Sequence, residues 1–164
     1  MSPAAGVALP LPARTGPPPR TTRDAPHQQV DQQPTDLGPL DRLARRLFAL
    51  PGVTERPSGI SVPGARALCL TAGPATSDAF LVDREFAHLH PAPDHSLHVT
   101  LPTPCAEHAV LQGWAEWHPA VLRGDLPRTV VMVFAPRDDD EAAVVEAIVG
   151  VSWQLAHGDL ARTS

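Results

Sequence analysis

The stretch that decides the fold lies between residues 85 and 101. It reads Glu85-Phe86-Ala87-His88-Leu89-His90, then a turn at 91–95, then Ser96-Leu97-His98-Val99-Thr100-Leu101. Successive side chains of a strand point to opposite faces of a sheet, so the alternation predicts a β-hairpin. If His90 pairs with Ser96 across the turn, His88 lies opposite His98 and Leu89 lies opposite Leu97.

The two faces of this hairpin differ in chemistry. One face carries small and branched apolar residues suited to a core. The other carries His88, His90 and His98 together with Phe86, Ser96 and Thr100. A register slip of one residue would mix the two sets. Each imidazole has two ring nitrogens that need partners if water is excluded. The histidine face is therefore either the solvated side of a sheet or the wall of a functional site.

The flanking sequence predicts further strands and several helices. Apolar residues at helical spacing over 39–50 stop at Pro51-Gly52, and Asp138 with Glu141 forms a capping box for a last helix that ends at Gly158. Short strands are predicted at 65–71 and 79–82, a short helix at 105–112 and a central strand at 129–135. This order predicts the α+β class, a mostly antiparallel sheet packed against helices in a single two-layer domain.

Composition divides the chain into a tail and a domain. Eight prolines and no aromatic residue lie within residues 1–35, and a polar run ends that stretch. Such a segment buries too little apolar surface on its own to offset the entropy lost on ordering. We predict a disordered proline-rich tail over 1–35 and a folded domain over 36–160. His27 in the tail, and His95, His108 and His157, are interpreted as surface residues.

Charge and cysteine content exclude several classes. The formal net charge of −5 argues against nucleic-acid binding, which depends on clustered positive charge. No stretch is long and apolar enough to span a membrane. Two cysteines cannot form a disulfide framework, and the absence of an export signal predicts a cytoplasmic protein. The sequence does not indicate an oligomeric state.

A second segment, Gly113-Trp114-Ala115-Glu116-Trp117-His118-Pro119, can complete a pocket. Its two tryptophans supply large flat apolar surfaces, and the proline holds His118 in an extended conformation. Together with the hairpin this segment predicts a pocket for a planar small molecule. The alternative is that Trp114 and Trp117 only complete the core.

These segments resemble the fungal luciferase family, whose domain also occurs in bacterial proteins. The matching pieces are residues 85–90, 96–98, 113–114, 118–119 and 135–137, in the same order and with similar spacing. The resemblance implies an α+β domain, taken as a bacterial member, and an oxygenase that adds O₂ to a hydroxylated pyrone with no organic cofactor or metal. It places His88, His90, His98, His118, Glu85, Trp114 and Arg137 at motif positions of the family.

The first functional hypothesis is therefore an oxygenase acting on an electron-rich enol, phenol or pyrone, with O₂ as co-substrate. His88 or His98 would act as general base, because the pKa of histidine lies near operating pH. His90, His118 and Arg137 would hold anionic oxygens. The alternative for Arg137 is an ion pair with the acidic first turn of the last helix. Residues assigned to substrate binding are Glu85, Phe86, Ser96, Thr100, Trp114 and Trp117.

Two alternatives remain open at this stage. His88 and His90, with Asp94 and His118, resemble the ligand pattern of cupin-type iron or manganese sites, although the regular strands of a cupin barrel are missing. The sequence therefore favours no metal over this set. The second alternative is a protein that binds an aromatic metabolite in the same pocket without turnover.

Overall fold

Six short strands form one antiparallel sheet. The computed structural model describes residues 9–73 and 77–160. The strands are β1 (Val53–Pro57), β2 (Arg66–Leu70), β3 (Glu85–Leu89), β4 (Leu97–Thr100), β5 (Ala115–Trp117) and β6 (Val130–Val133). Their order across the sheet is β1-β2-β3-β4-β6-β5, so β6 lies between the β3–β4 hairpin and β5. The sheet and its helices confirm the α+β class predicted from the sequence.

Helices cover one face of this sheet. The α-helices of the described residues are α1 (Gly38–Phe48), α2 (Thr103–Leu111), α3 (Pro119–Leu122) and α4 (Asp139–His157). α1 and α4 pack against each other, and α4 also contacts β3 and β4. The Asp138 side chain caps α4 by accepting the Glu141 N–H, and Gly158 ends the helix with φ of 90°. Both ends agree with the sequence signals.

The register of the hairpin is the predicted one. His88 pairs with His98 and Leu89 with Leu97. The N–H of His90 donates to the carbonyl of Ser96 at 2.9 Å, which closes the turn. Apolar residues of β3, β4 and β6 on one face join the core beneath α4, so the histidines of the hairpin lie on the opposite face.

A β-bulge changes the alternation at the start of β3. Leu68 of β2 pairs with Ala87, but the next residue, Cys69, pairs with Glu85, so Phe86 is the extra residue. A bulge turns the extra side chain away from strict alternation. Phe86 is fully buried in the core, while Glu85 contacts His88. The prediction that Phe86 shares the histidine face is therefore wrong, because strict alternation does not hold across the bulge.

Residues 9–35, here called the N-terminal segment, pack against the domain. Leu9 and Leu11 are buried in the core. The carbonyl of Pro12 accepts the indole N–H of Trp114 at 2.6 Å, and the Gln29 side chain accepts the Ala135 N–H at 2.9 Å. The prediction of a disordered tail is wrong for residues 9–35, because side chains of this segment are buried in the core and the segment forms hydrogen bonds with the rest of the domain. Residues 1–8 lie outside the described residues.

Three elements carry no clear signal in the sequence. β1 is an edge strand whose residues are mostly exposed, so it lacks apolar alternation. β5 and α3 are only three and four residues long. The predicted strand at 79–82 is instead the end of a 3₁₀ turn at Ser77–Ala79 followed by one isolated bridge at Val82. Among the helices of the described residues, none is long and apolar enough to cross a bilayer.

Candidate functional site

One row of residues across the sheet carries the site. Backbone pairing aligns His88 with His98, His98 with Met132, and Met132 with Glu116. Paired residues share a face, so these side chains lie on the face opposite α4. His90 follows β3, His118 precedes α3, and the N-terminal segment adds His27. We call these five residues the histidine cluster: His27, His88, His90, His98 and His118.

Three ring nitrogens meet at the centre of the histidine cluster. His88 Nε2 lies 3.2 Å from His90 Nε2 and 3.1 Å from His98 Nδ1, and His90 Nε2 lies 3.1 Å from His98 Nδ1. The three residues are only 2% to 6% exposed. Their rings come from two adjacent strands and the turn between them, so the hairpin alone builds this centre.

Carboxylates hold the outer nitrogens of two of these rings. The carboxylate of Glu85 accepts the Nδ1–H of His88 at 2.7 Å. The Ser96 hydroxyl donates to Asp94 Oδ1, so its oxygen accepts the Nδ1–H of His90 at 2.9 Å. Asp94 Oδ2 also lies 2.9 Å from His90 Nδ1, although it completes no well-aligned hydrogen bond. With both Nδ1 atoms protonated, the Nε2 atoms of neutral His88 and His90 carry lone pairs.

His27 links the third ring to another carboxylate. Its Nε2 lies 2.6 Å from Glu116 Oε1 and its Nδ1 lies 3.0 Å from His98 Nε2. The carboxylate requires a proton on His27 Nε2. With that single proton on the ring, His27 accepts at Nδ1 and His98 donates from Nε2. The remaining nitrogen of His98, Nδ1, is then a third lone pair at the centre. The prediction that His27 is a surface residue is wrong, because the N-terminal segment carries it onto the histidine face.

His118 has a different partner. Its Nδ1 accepts the N–H of Ala120 at 3.1 Å and caps α3. Burial is the main cause that lowers the pKa of His118 to about 4. The ring is therefore neutral near pH 7, with its hydrogen on Nε2. Its centroid lies 5.0 Å from that of His98, so this N–H belongs to the same site.

Burial also keeps central rings neutral. It lowers the pKa of His98 well below the ordinary value, helped by repulsion from His90 and His88, and it lowers the pKa of His88. Burial alone would raise the pKa of Glu85 and Asp94. For Glu85, the hydrogen bonds from His88, Gly59 and Ser58 outweigh burial and lower the pKa. For Asp94, the close contact with His90 and the hydrogen bonds from Ser96 do the same. The site thus combines neutral imidazoles with ionised carboxylates.

The histidine cluster opens into a cavity of about 650 Å³. All five of its histidines line this cavity. The rest of the wall is largely apolar, from Ile60, Val62, Phe80, Leu81 and Leu126, with Thr129 and Asp78 among the polar positions. Pockets that bind small molecules combine such walls with a few convergent polar groups. The four histidines assigned to the site from the sequence, His88, His90, His98 and His118, are therefore brought together.

Several other assigned residues do not reach the cavity. Trp114 is buried in the core, and Trp117 packs against the core with the Arg128 guanidinium 4.5 Å from its ring centre. Arg137 forms an ion pair with Glu141 at 2.6 Å and donates to the carbonyl of Thr15. None of the three lines the cavity, so the substrate-binding roles of Trp114 and Trp117 and the oxyanion role of Arg137 stay predictions. The structure places all three residues in packing or ion-pair roles.

The remaining assigned residues support the histidines or lie apart from them. Glu85 and Ser96 contact His88 and His90 from behind and do not line the cavity. Thr100 is buried and donates its hydroxyl to the carbonyl of Ala79 at 2.8 Å. Phe86 lies in the core. None of these four residues lines the cavity, so their assignment to substrate binding stays a prediction.

Two groups within the histidine cluster have metal-ligand spacing in the described residues. One consists of His88, His90 and His98, and the other of His27, His98 and His118. The set predicted from the sequence differs, because Asp94 contacts the outer nitrogen of His90. Asp94 therefore supports a histidine and would not itself bind a metal beside His88 and His90.

Known proteins show similarity to the same part of the chain. Residues 83–152 match the luciferase domain family. A luciferase of Armillaria ostoyae is 29% identical over 171 residues, covering 93% of this chain and 64% of that protein. A luciferase of Armillaria gallica is 29% identical over 160 residues, covering 87% and 59%. A luciferase of Neonothopanus nambi is 37% identical over 71 residues, covering 42% and 27%.

The matched range contains the β3–β4 hairpin, β5, β6 and much of α4. The similarities confirm the resemblance to the fungal luciferase family predicted from the sequence. The chain spans 64% and 59% of the two relatives that it matches over most of its length. These relatives are fungal and give no support to a bacterial origin. No solved structure gave a significant match.

Proposed function

We propose that the chain is an oxygenase that adds O₂ to an electron-rich enol, phenol or pyrone held in the cavity, without an organic cofactor. The observation that carries this proposal is the set of five imidazoles along one wall of a cavity of about 650 Å³. The luciferase relatives provide the reaction class. The substrate class follows from the cavity, since apolar walls hold a planar ring and the histidine cluster holds its oxygen substituents.

The proposed reaction needs no other oxidant or reductant. An acidic hydroxyl of the substrate gives its proton to a central ring nitrogen of His88 or His98. The resulting anion gives one electron to O₂, and the substrate radical and superoxide join through a new carbon–oxygen bond. The peroxide anion then takes the proton back. The net change is the addition of O₂ to the substrate.

Negative charge on the substrate needs donors that are already in position. His118 supports this role, because Ala120 occupies its Nδ1 and leaves Nε2–H for the cavity. A fixed donor in a buried site stabilises developing charge more than water does, because it needs no reorganisation during the reaction. His118 therefore takes the charge-stabilising role that the sequence had divided among His90, His118 and Arg137.

Oxygen consumption with hydroxylated pyrones and catechols tests the proposal. We expect O₂ uptake with a product heavier by one O₂ molecule. We also expect His118→Asn to lower the rate about 100-fold, as loss of one charge-stabilising donor does elsewhere. Asparagine keeps a side-chain oxygen to cap α3, so this variant should fold. His108→Gln on α2, outside the cavity lining, is the control and should keep the wild-type rate.

Calorimetric titration of the same compounds separates oxygenation from binding alone. Heat of binding without O₂ uptake by the wild type would contradict the oxygenase and indicate a protein that binds aromatic metabolites. Equal rates for His118→Asn and the wild type would remove His118 from the reaction.

A further inference from the structure

We propose that His88, His90 and His98 bind one divalent first-row transition-metal ion through His88 Nε2, His90 Nε2 and His98 Nδ1. This deepens the proposed function and rests on it for the role of the ion, which would hold the anionic oxygen of the substrate. With the ion bound, the substrate proton would pass to water in the cavity instead of to His88 or His98, and water would return it to the peroxide anion. The proposal differs from the ligand set considered from the sequence, because it uses His98 in place of Asp94 and His118.

The spacing of the three nitrogens fits a common metal ion. They form a nearly equilateral triangle with edges of 3.1, 3.1 and 3.2 Å. Nitrogen ligands at about 2.0–2.1 Å from one ion, with bond angles from about 90° to tetrahedral, are separated by about 2.8–3.4 Å. The register of the hairpin therefore places the three nitrogens at the separation that metal ligands have. A metal ion could bind without any rearrangement of the backbone.

The hydrogen-bond network leaves the three central ring nitrogens of His88, His90 and His98 without a hydrogen. Glu85 takes the Nδ1–H of His88, Ser96 takes that of His90, and Glu116 acts on His98 through His27. In the neutral state, three lone pairs therefore face one another inside the protein. Such an arrangement is repulsive unless a cation lies between them, and only a proton or a metal ion fits.

The partners behind the rings are those that metal-binding histidines use. Each ligand ring has its other nitrogen fixed, and two of the three face a carboxylate directly or through one hydroxyl. In metal sites such contacts fix the ring orientation and increase the basicity of the ligand nitrogen. Glu85 and Asp94 are almost fully buried, and a divalent ion would balance the charge of these two carboxylates.

The ligand set also limits the identity of the ion. Neutral imidazoles suit iron, zinc, copper and nickel better than magnesium or calcium, which prefer oxygen ligands. All three ligands lie on the wall of the cavity. The side of the ion that faces the cavity is therefore open to water, substrate or O₂, as in catalytic sites with three protein ligands.

The second group with metal-ligand spacing is less suitable. His118 Nδ1 accepts the Ala120 N–H, so His118 presents a protonated Nε2 to the cluster. His27 Nδ1 and His98 Nε2 are already bonded to each other at 3.0 Å. A metal at this position would have to break the cap of α3 and the link between His27 and His98. The site at His88, His90 and His98 requires neither change.

Titration of the full chain with Co²⁺ tests this site directly. The protein is freed of any affinity tag, treated with a chelator, and followed by visible absorption of bound Co²⁺ in the absence of substrate. We expect one equivalent to bind with a spectrum typical of nitrogen ligands. His98→Gln and His88→Gln should abolish this spectrum, and His108→Gln, the control on α2, should retain it.

A variant of a residue that only positions a ligand keeps the test valid if the variants of the metal ligands do not fold. Glu85→Gln leaves all three ligands in place but removes the carboxylate behind His88, so we expect about 10- to 100-fold weaker Co²⁺ binding. The proposal is overturned if the wild type binds well under one equivalent, if binding persists in folded His98→Gln, or if Glu85→Gln binds as tightly as the wild type. Bound Co²⁺ in a protein that consumes no O₂ would overturn only the oxygenase.

Discussion

At the scale of single residues, the site depends on groups that do not touch the cavity. Glu85 accepts three hydrogen bonds, from His88, from the Ser58 hydroxyl and from the Gly59 N–H. These bonds fix which nitrogen of His88 carries the proton. A buried carboxylate with three donors is therefore a requirement of the site, although substrate need never contact it.

We expect Glu85→Gln to lower the free energy of unfolding of the metal-free protein by about 1–3 kcal/mol, because the amide turns an NH₂ group toward donors that need acceptors. Urea unfolding measures the loss. Glu55→Gln on neighbouring β1 is the matched control, since Glu55 forms an exposed pair with Arg66 worth less than about 1 kcal/mol. Equal losses in the two variants would contradict a special role for Glu85.

Sequence reasoning found four histidines of the cluster but not His27 or its partner Glu116. Alternation and register were sufficient to predict His88 opposite His98. The contribution of His27 could not be predicted, because it depends on where a segment without regular structure lies on the sheet. The pairing of β5 with β6 places Glu116 near His27, and a three-residue strand gives too little pattern for that prediction. Local periodicity cannot predict residues whose roles depend on contacts between distant parts of the sequence.

At the scale of elements, the N-terminal segment behaves as part of the domain. It covers core residues through Leu9 and Leu11, and it closes one end of the histidine cluster with His27. Compositional reasoning judged the segment by its own apolar content and so missed what it buries on the sheet. The two long helices, α1 and α4, were predicted well because each has its own apolar periodicity and residues that mark its ends.

Removal of residues 1–35 should therefore lower the melting temperature by several degrees, since each kcal/mol lost shifts it by about 2–8 °C in domains of this size. The sequence alone predicted almost no change. Differential scanning calorimetry measures the shift, with Arg20→Ala as a control that breaks only an exposed pair with Asp31. An unchanged melting temperature for the truncated chain would show that the segment does not pack in solution.

At the scale of the whole molecule, Glu141 joins parts that are distant in the chain. It lies in the first turn of α4 and accepts hydrogen bonds from Arg137, which also reaches the carbonyl of Thr15. Burial alone would raise the pKa of Glu141. The hydrogen bonds and charge of Arg137 and the positive charge of Arg14 outweigh burial and lower it.

A carboxyl group with a lowered pKa in the folded state stabilises the fold above its ordinary pKa, and this stabilisation is lost as pH falls through the folded value. Near pH 7 we expect Glu141→Gln to be less stable than the wild type by about 1–3 kcal/mol, because a charged hydrogen bond is lost. The gap should narrow as pH falls below the ordinary pKa of glutamate and through the lower pKa of folded Glu141, where the carboxylate becomes protonated. Urea unfolding across this range measures it. Glu146→Gln on the same helix breaks an exposed pair with Arg46 and should change stability little at any pH. A gap for Glu141→Gln that stays constant with pH would mean that packing, and not charge, holds the N-terminal segment to α4.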